Sequence, residues 1–193
     1  MPGSLFREHA AARGPYTYED YALLPDDGRR YELLEGEILV SPAPKTRHQM
    51  VLQKLFKMVD AWAEKGRAGT VLLAPCDMVL SPQTVLQPDL VFIARKHSGI
   101  ITEDNVQGVP DLVVEVISPW SAERDRDWKR RVYERHGVPC YWIVDPEERR
   151  LTAYRRGADD FVLEAALGAG GVFRPADLPE LEIDLADLWP AGR

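Results

Sequence analysis

The spacing of apolar positions changes along this 193-residue chain, and each spacing predicts a different element. From about His48 to Lys65, Val51, Leu52, Leu55, Phe56, Val59 and Trp62 recur at helical intervals, and Gly66 is placed as the C-cap. "YELLEGEILVSPAP" reads as a hairpin turning at Gly36 and stopped by prolines. "TVLLA", "CDMVLS", "QPDLVFIA", "DLVVEVIS" and "CYWIVD" are short apolar runs of strand length. A second helix is expected from Ser121 to His136, closed by Gly137, with Trp128, Val132 and His136 on its inner stripe. Strand 112–118, helix and strand 140–145 form a βαβ unit, so those two strands should be parallel. "RLTAYRR" and "DFVLEAAL" add antiparallel edge strands, and Leu181, Ile183, Leu185 and Trp189 pack the acidic C-terminal segment. Thr17 opens a short helix with Asp20 at capping-box distance.

These elements describe a mixed α/β chain: residues 1–15 as a flexible N-terminal tail and 16–193 as a single domain. With 45% hydrophobic residues, a chain of this length can bury a substantial core. No apolar stretch reaches the length of a membrane helix and the first residues carry no signal-peptide pattern, so a soluble, cytoplasmic protein is expected. Cys76 and Cys140 sit in strand-like runs without metal spacing and read as small buried hydrophobes in a reducing compartment. The net charge of −7 argues against a broadly basic, nucleic-acid-coating surface. Residues 121–156 nevertheless hold ten Lys/Arg against seven Asp/Glu. Most of those basic residues fit a solvated helix face, with phosphate contact by Arg124, Arg126, Arg130 and Arg131 as the sharper alternative.

One residue conflicts with its surroundings. Glu115 lies between Val113-Val114 and Val116-Ile117, in a run that buries both faces of a strand. An ionised carboxylate there is costly unless something compensates it. Asp111 points the same way, but four residues along a strand place it about 13 Å off, beyond the reach of a shared ion. Asp89, opening "DLVFIA" after Pro88, is the better partner, because a neighbouring strand could bring it close. A divalent cation would compensate both carboxylates. Taken alone, Asp89 would be a strand-start residue and Lys129 an exposed helix lysine paired with Asp125. His48 would be a residue of the helix start, with a role near phosphate as the weaker reading.

The ordered stretches "RYELLEGEILVSPAP…H", "QPDLVFIA", "PDLVVEVISP", "DWKRRVYERHGVPCYWIVDP" and "LTAYR" resemble the PD-(D/E)XK nuclease superfamily, and most closely its Uma-type branch of restriction-like endonucleases. The resemblance spans about residues 17–155. It implies a restriction-endonuclease-like fold, a mixed central sheet flanked by helices. It implies hydrolysis of DNA phosphodiester bonds with Mg²⁺ (or Mn²⁺), and a homodimer if both strands are cut. Asp89, Glu115 and the backbone carbonyl of Val116 would hold the metal, and Glu32 would extend the site. The superfamily's lysine belongs two residues after the glutamate, where this chain has Ile117. Lys129 matches the position to which the Uma-type branch moves it, on the following helix. The alternative is a catalytically inactive nuclease-fold module binding DNA or a protein partner. A hydrolase acting on another substrate is more distant. For a metal site, Glu115→Gln should leave the metal-free fold as stable as before or more so.

Overall fold

The structure, a computed structural model, describes residues 15–118 and 124–190, with backbone alone for Arg124 and Asp125. The expected tail therefore lies outside the described residues except for Pro15, as does the start of the second helix at 121–123. The chain forms two compact units.

The first unit takes the described part of residues 1–43 together with 75–87 and 100–108. Helix α1 (Tyr18–Ala22) follows Thr17, whose backbone N–H and hydroxyl both donate to Asp20 Oδ2, at 3.0 and 3.1 Å. The hairpin of β1 (Arg30–Leu34) and β2 (Glu37–Ser41) turns through Glu35 and Gly36. Both turn residues have positive φ, 51° and 84°, as a two-residue hairpin turn requires. The β-carbon of any larger residue at Gly36 would meet Pro15. The unit's sheet has the order β2-β1-β5-β4-β7, with β4 (Met78–Ser81), β5 (Thr84–Leu86) and β7 (Val106–Gln107). β5, three residues long, is not expected from the sequence.

The second unit takes residues 44–74, 88–99 and 109–193. Its mixed sheet runs β11-β10-β9-β8-β6-β3. The strands are β3 (Gly69–Leu73), β6 (Leu90–Ala94), β8 (Leu112–Val116), β9 (Cys140–Asp145), β10 (Arg150–Arg156) and β11 (Phe161–Leu167). β8 and β9 are parallel, as the βαβ reading requires, and β6 runs antiparallel to β8. β10 lies between β9 and β11, so β11 alone of the expected pair is an edge strand.

On one face, Leu90, Phe92, Leu112, Val114, Trp142 and Val144 pack against Val51, Leu52, Leu55 and Val59 of α2 (Thr46–Gly66). Leu181, Ile183, Leu185 and Trp189 close the same core around β12 (Val172–Phe173), β13 (Ile183–Asp184) and α4 (Leu185–Leu188). Helix α2 begins two residues before the expected start. Gly66 is its last residue, and Arg67 takes the left-handed capping position at φ 47°.

The second helix departs most from its sequence reading. It begins as a π-helical segment, Arg124–Lys129, and continues as α3 (Arg130–Arg135), with Gly137 at φ 76° beyond it. The wider π turn changes which side chains face inward. Lys129, Val132 and Tyr133 are buried, while Trp128 and His136 are only half-buried.

Candidate active site

Strand pleating sends Val114 and Val116 into the core under α2, so Glu115 points to the opposite face of the sheet. Lys129 and Tyr133, one helical turn apart, come down on it there. Lys129 Nζ donates to Glu115 Oε1 at 2.8 Å, and Tyr133 Oη donates to the same oxygen at 2.7 Å. None of the three side chains is more than 3% exposed. The burial cost of the carboxylate is thus offset by an ammonium and a hydroxyl, both at short distance from one oxygen. This changes the expectation for Glu115→Gln. The substitution would remove the negative charge of a buried ion pair, so it should destabilise rather than leave the fold unaffected.

Asp89 stands just ahead of β6. The β6–β8 register pairs Leu90 with Val114, and one further step sets Asp89 opposite Glu115. Asp89 Oδ2 accepts from the Val116 backbone N–H at 2.8 Å and lies 3.1 Å from His48 Nε2, at the start of α2. Asp89 therefore contacts the peptide unit that joins Glu115 to Val116. His48, a weak candidate in the sequence, is buried and orients this carboxylate. Tyr133 was missed in the sequence, where its four-residue spacing from Lys129 is the signal that could have found it.

Of the five expected site residues, Asp89, Glu115, Val116 and Lys129 are gathered in the second unit. Glu32 lies in the first unit, on β1, where it is buried and its Oε1 accepts from Gln87 N at 3.0 Å. Gln87 Nε2 in turn donates to Asp77 Oδ1 at 2.7 Å, and Tyr21 Oη donates to that oxygen at 2.8 Å. Burial, followed by the Asp77 charge, raises the Tyr21 pKa well above the usual phenol value. Asp111, set aside above, has separate work: it accepts from Ala94 N at 2.7 Å and meets His97 Nδ1 at 2.9 Å. The Asp125 side chain, expected beside Lys129, lies outside the described residues.

Among the described residues of the second unit are two clefts. The larger, about 1070 Å³, is bordered by Trp62, Lys96, His97, Asp111, Cys140 and Asp177 and touches neither Asp89 nor Glu115. The smaller, about 450 Å³, is lined by Arg126, Arg130, Ile143, Asp145, Thr152 and Tyr154. The smaller cleft does not reach Asp89 or Glu115 itself, but Ile143 in its lining is the β9 partner of Glu115 in the sheet. There Arg126 meets Asp145 at 2.6 Å, and Arg130 meets Glu134 at 3.4 Å and lies over the Tyr154 ring. Arg126 is ion-paired and exposed, and Arg130 is ion-paired and half-buried.

The donor set suits a hard divalent cation. Two carboxylates and a peptide carbonyl are all oxygen ligands, and Mg²⁺ commonly takes one or two carboxylates and completes its shell with water and substrate. Among the described residues, no group of three or more His, Cys, Asp or Glu side chains is placed to hold a metal unaided.

The architecture is mixed α/β, a mixed sheet flanked by helices. The chain belongs to the Uma2 family, described as "Putative restriction endonuclease", which it matches over residues 18–186. Its fold is shared with a solved structure described as "a putative nuclease belonging to DUF820" from Anabaena variabilis ATCC 29413. That likeness has a TM-score of 0.75 at 18% identity and covers 91% of this chain and 98% of the other. No curated protein matches the chain. Among the described residues, no helix is long and apolar enough to cross a membrane.

Proposed function

We propose that this protein is a metal-dependent endonuclease that hydrolyses DNA phosphodiester bonds. The observation that carries the proposal is the buried set in which Glu115 meets Lys129 while Asp89 grips the adjoining peptide. A polar cluster this deep needs a reason beyond packing, because well-packed apolar residues of similar volume are often at least as stable.

In this reading Asp89, Glu115 and the Val116 carbonyl hold Mg²⁺ or Mn²⁺. When bound, the cation supplies Lewis-acid polarisation of the phosphoryl oxygen and lowers the pKa of a bound water. His48 keeps the Asp89 carboxylate in one orientation. Lys129 orients the attacking water and offsets negative charge as it develops on the phosphate. Arg126 and Arg130 line the smaller cleft and would contact the DNA backbone without reading its sequence. Glu32 is a further carboxylate of the reaction on the strength of the family resemblance. Two copies of the chain would serve the two strands of a duplex.

A second reading has an observation of its own. The Lys129 ammonium already compensates the charge of Glu115, which a metal would otherwise do. That arrangement also suits an inactive module that keeps the fold to bind DNA or a protein. Plasmid cleavage by the wild type and by Asp89→Asn, with Mg²⁺ and with Mn²⁺, separates the two. Cleavage lost in Asp89→Asn supports the nuclease. Metal-insensitive binding of DNA without cleavage by the wild type supports the module.

A further inference from the structure

Two donors on one oxygen of Glu115 raise the question of what each is for. Lys129 and Tyr133 approach Oε1 at 2.8 and 2.7 Å from consecutive turns of the same helical segment. They differ in freedom. The lysine is buried too, but it reaches its contact at the end of a four-carbon stem whose rotamers can re-aim the amine. The tyrosine is fully buried, and its ring packs on Tyr141 with centroids 4.9 Å apart, so its hydroxyl is held in one place.

In the mechanism proposed above, Lys129 must turn from Glu115 toward the attacking water. A buried carboxylate deserted by its donor is heavily penalised. A second, immobile donor on the same oxygen reduces that penalty. We propose that Tyr133 is a positioning residue: it keeps Glu115 hydrogen-bonded and aimed while Lys129 exchanges the carboxylate for the reacting water. Tyr133 touches neither substrate nor metal and acts through Glu115. The inference rests on the metal-dependent nuclease reading and adds to it a division of labour between the two donors. No proton or electron changes hands at the phenol.

The variant that isolates this role is Tyr133→Phe, which removes one oxygen and keeps the ring. Partners behind a metal ligand are worth roughly 10–100-fold in metal affinity or activity. Calorimetric titration of metal-free protein with Mn²⁺ should show binding roughly tenfold weaker than wild type. Single-turnover cleavage should be roughly tenfold slower, and the Kd for DNA without metal should stay within about twofold. A packing defect alone would lower the melting temperature without this separation of metal affinity and rate from DNA affinity. If Tyr133→Phe does not fold, Tyr133→Met, which fills the space without a donor, takes its place in the same measurements. Wild-type Mn²⁺ affinity and cleavage rate in the folded variant overturn the role of Tyr133 and leave the nuclease reading standing. A wild type that binds no Mn²⁺ overturns both. A wild type that binds Mn²⁺ without cutting DNA overturns the nuclease reading and, with it, the exchange assigned to Lys129 and Tyr133.

Discussion

Each unit of this protein has a tyrosine hydroxyl on a carboxylate, and the two contacts are nearly identical in length. In the first, Tyr21 donates to Asp77 at 2.8 Å beside the neutral amide of Gln87. In the second, Tyr133 donates to Glu115 at 2.7 Å beside the ammonium of Lys129. The difference is the charge of the companion donor. A neutral amide completes a network that ties the strands and loops of its unit together. An ammonium confined with a carboxylate makes a buried ion pair, so removing either charge leaves the interior with a net charge it does not otherwise carry. A phenol–carboxylate contact is therefore no mark of a site by itself. The kind of partner sharing the carboxylate is more informative.

The sharpest way to break the comparison is to remove one charge from the second unit. Glu115→Gln and Lys129→Met should each destabilise the metal-free protein by about 3–5 kcal/mol, the cost of leaving a buried ion without its partner. The double variant should recover most of that loss, and urea unfolding of all four proteins measures it. Equal, additive losses would mean that the pair is not coupled. Kinetics come next: Lys129→Ala, assayed at a temperature where it is folded, should cut single-turnover cleavage by roughly 10²-fold. Arg130→Ala should cost only modest DNA affinity and flatten its salt dependence.

On the neutral side the effects are smaller. Tyr21→Phe should cost about 1 kcal/mol and leave Mn²⁺ affinity unchanged. The raised pKa of Tyr21 fixes the sign of its pH dependence. Its contribution is complete below the unfolded phenol pKa of roughly 10 and is lost as pH rises above it. The stability gap between wild type and Tyr21→Phe should therefore hold up to about pH 10 and narrow only as the pH rises further. The smallest effect concerns the thiols. Burial, followed by the charge of Asp177, pushes the Cys140 pKa up to about 12, and burial also raises the half-buried Cys76. At neutral pH a thiol reagent should label Cys76 slowly and Cys140 only on unfolding, as peptide mapping would show.

Much of this was legible beforehand because burial on two faces writes an unbroken apolar run. The runs at 112–116 and 140–145 could hardly be anything but central strands, and a helix between them required the parallel pairing that is found. Glu115 stood out for the same reason. The misses have physical causes. β5 is three residues between polar neighbours and carries no period. At the end of α2 Arg67 takes a conformation usually left to glycine, so the glycine signal at Gly66 pointed one residue early. Cys76 precedes β4 and is half-buried, where its run suggested a buried strand position. The inner face of the second helix was predicted on α-helical spacing, and the π turn shifted it. As a result Tyr133 was missed, and Lys129 entered through the family resemblance alone.

The distance in sequence between Glu115 and Lys129 has a consequence of its own. A lysine two positions along the same strand is locked to its glutamate by the pleat, and the spacing can never vary. Here the amine arrives from fourteen residues downstream, on a helix seated by Val132 and Tyr133. Insertions or deletions in the intervening chain can then accumulate over evolution without disturbing the pair, provided the helix still docks. Searches built on a fixed short spacing will pass over such proteins, whereas searches built on strand, helix and docking residues will recover them.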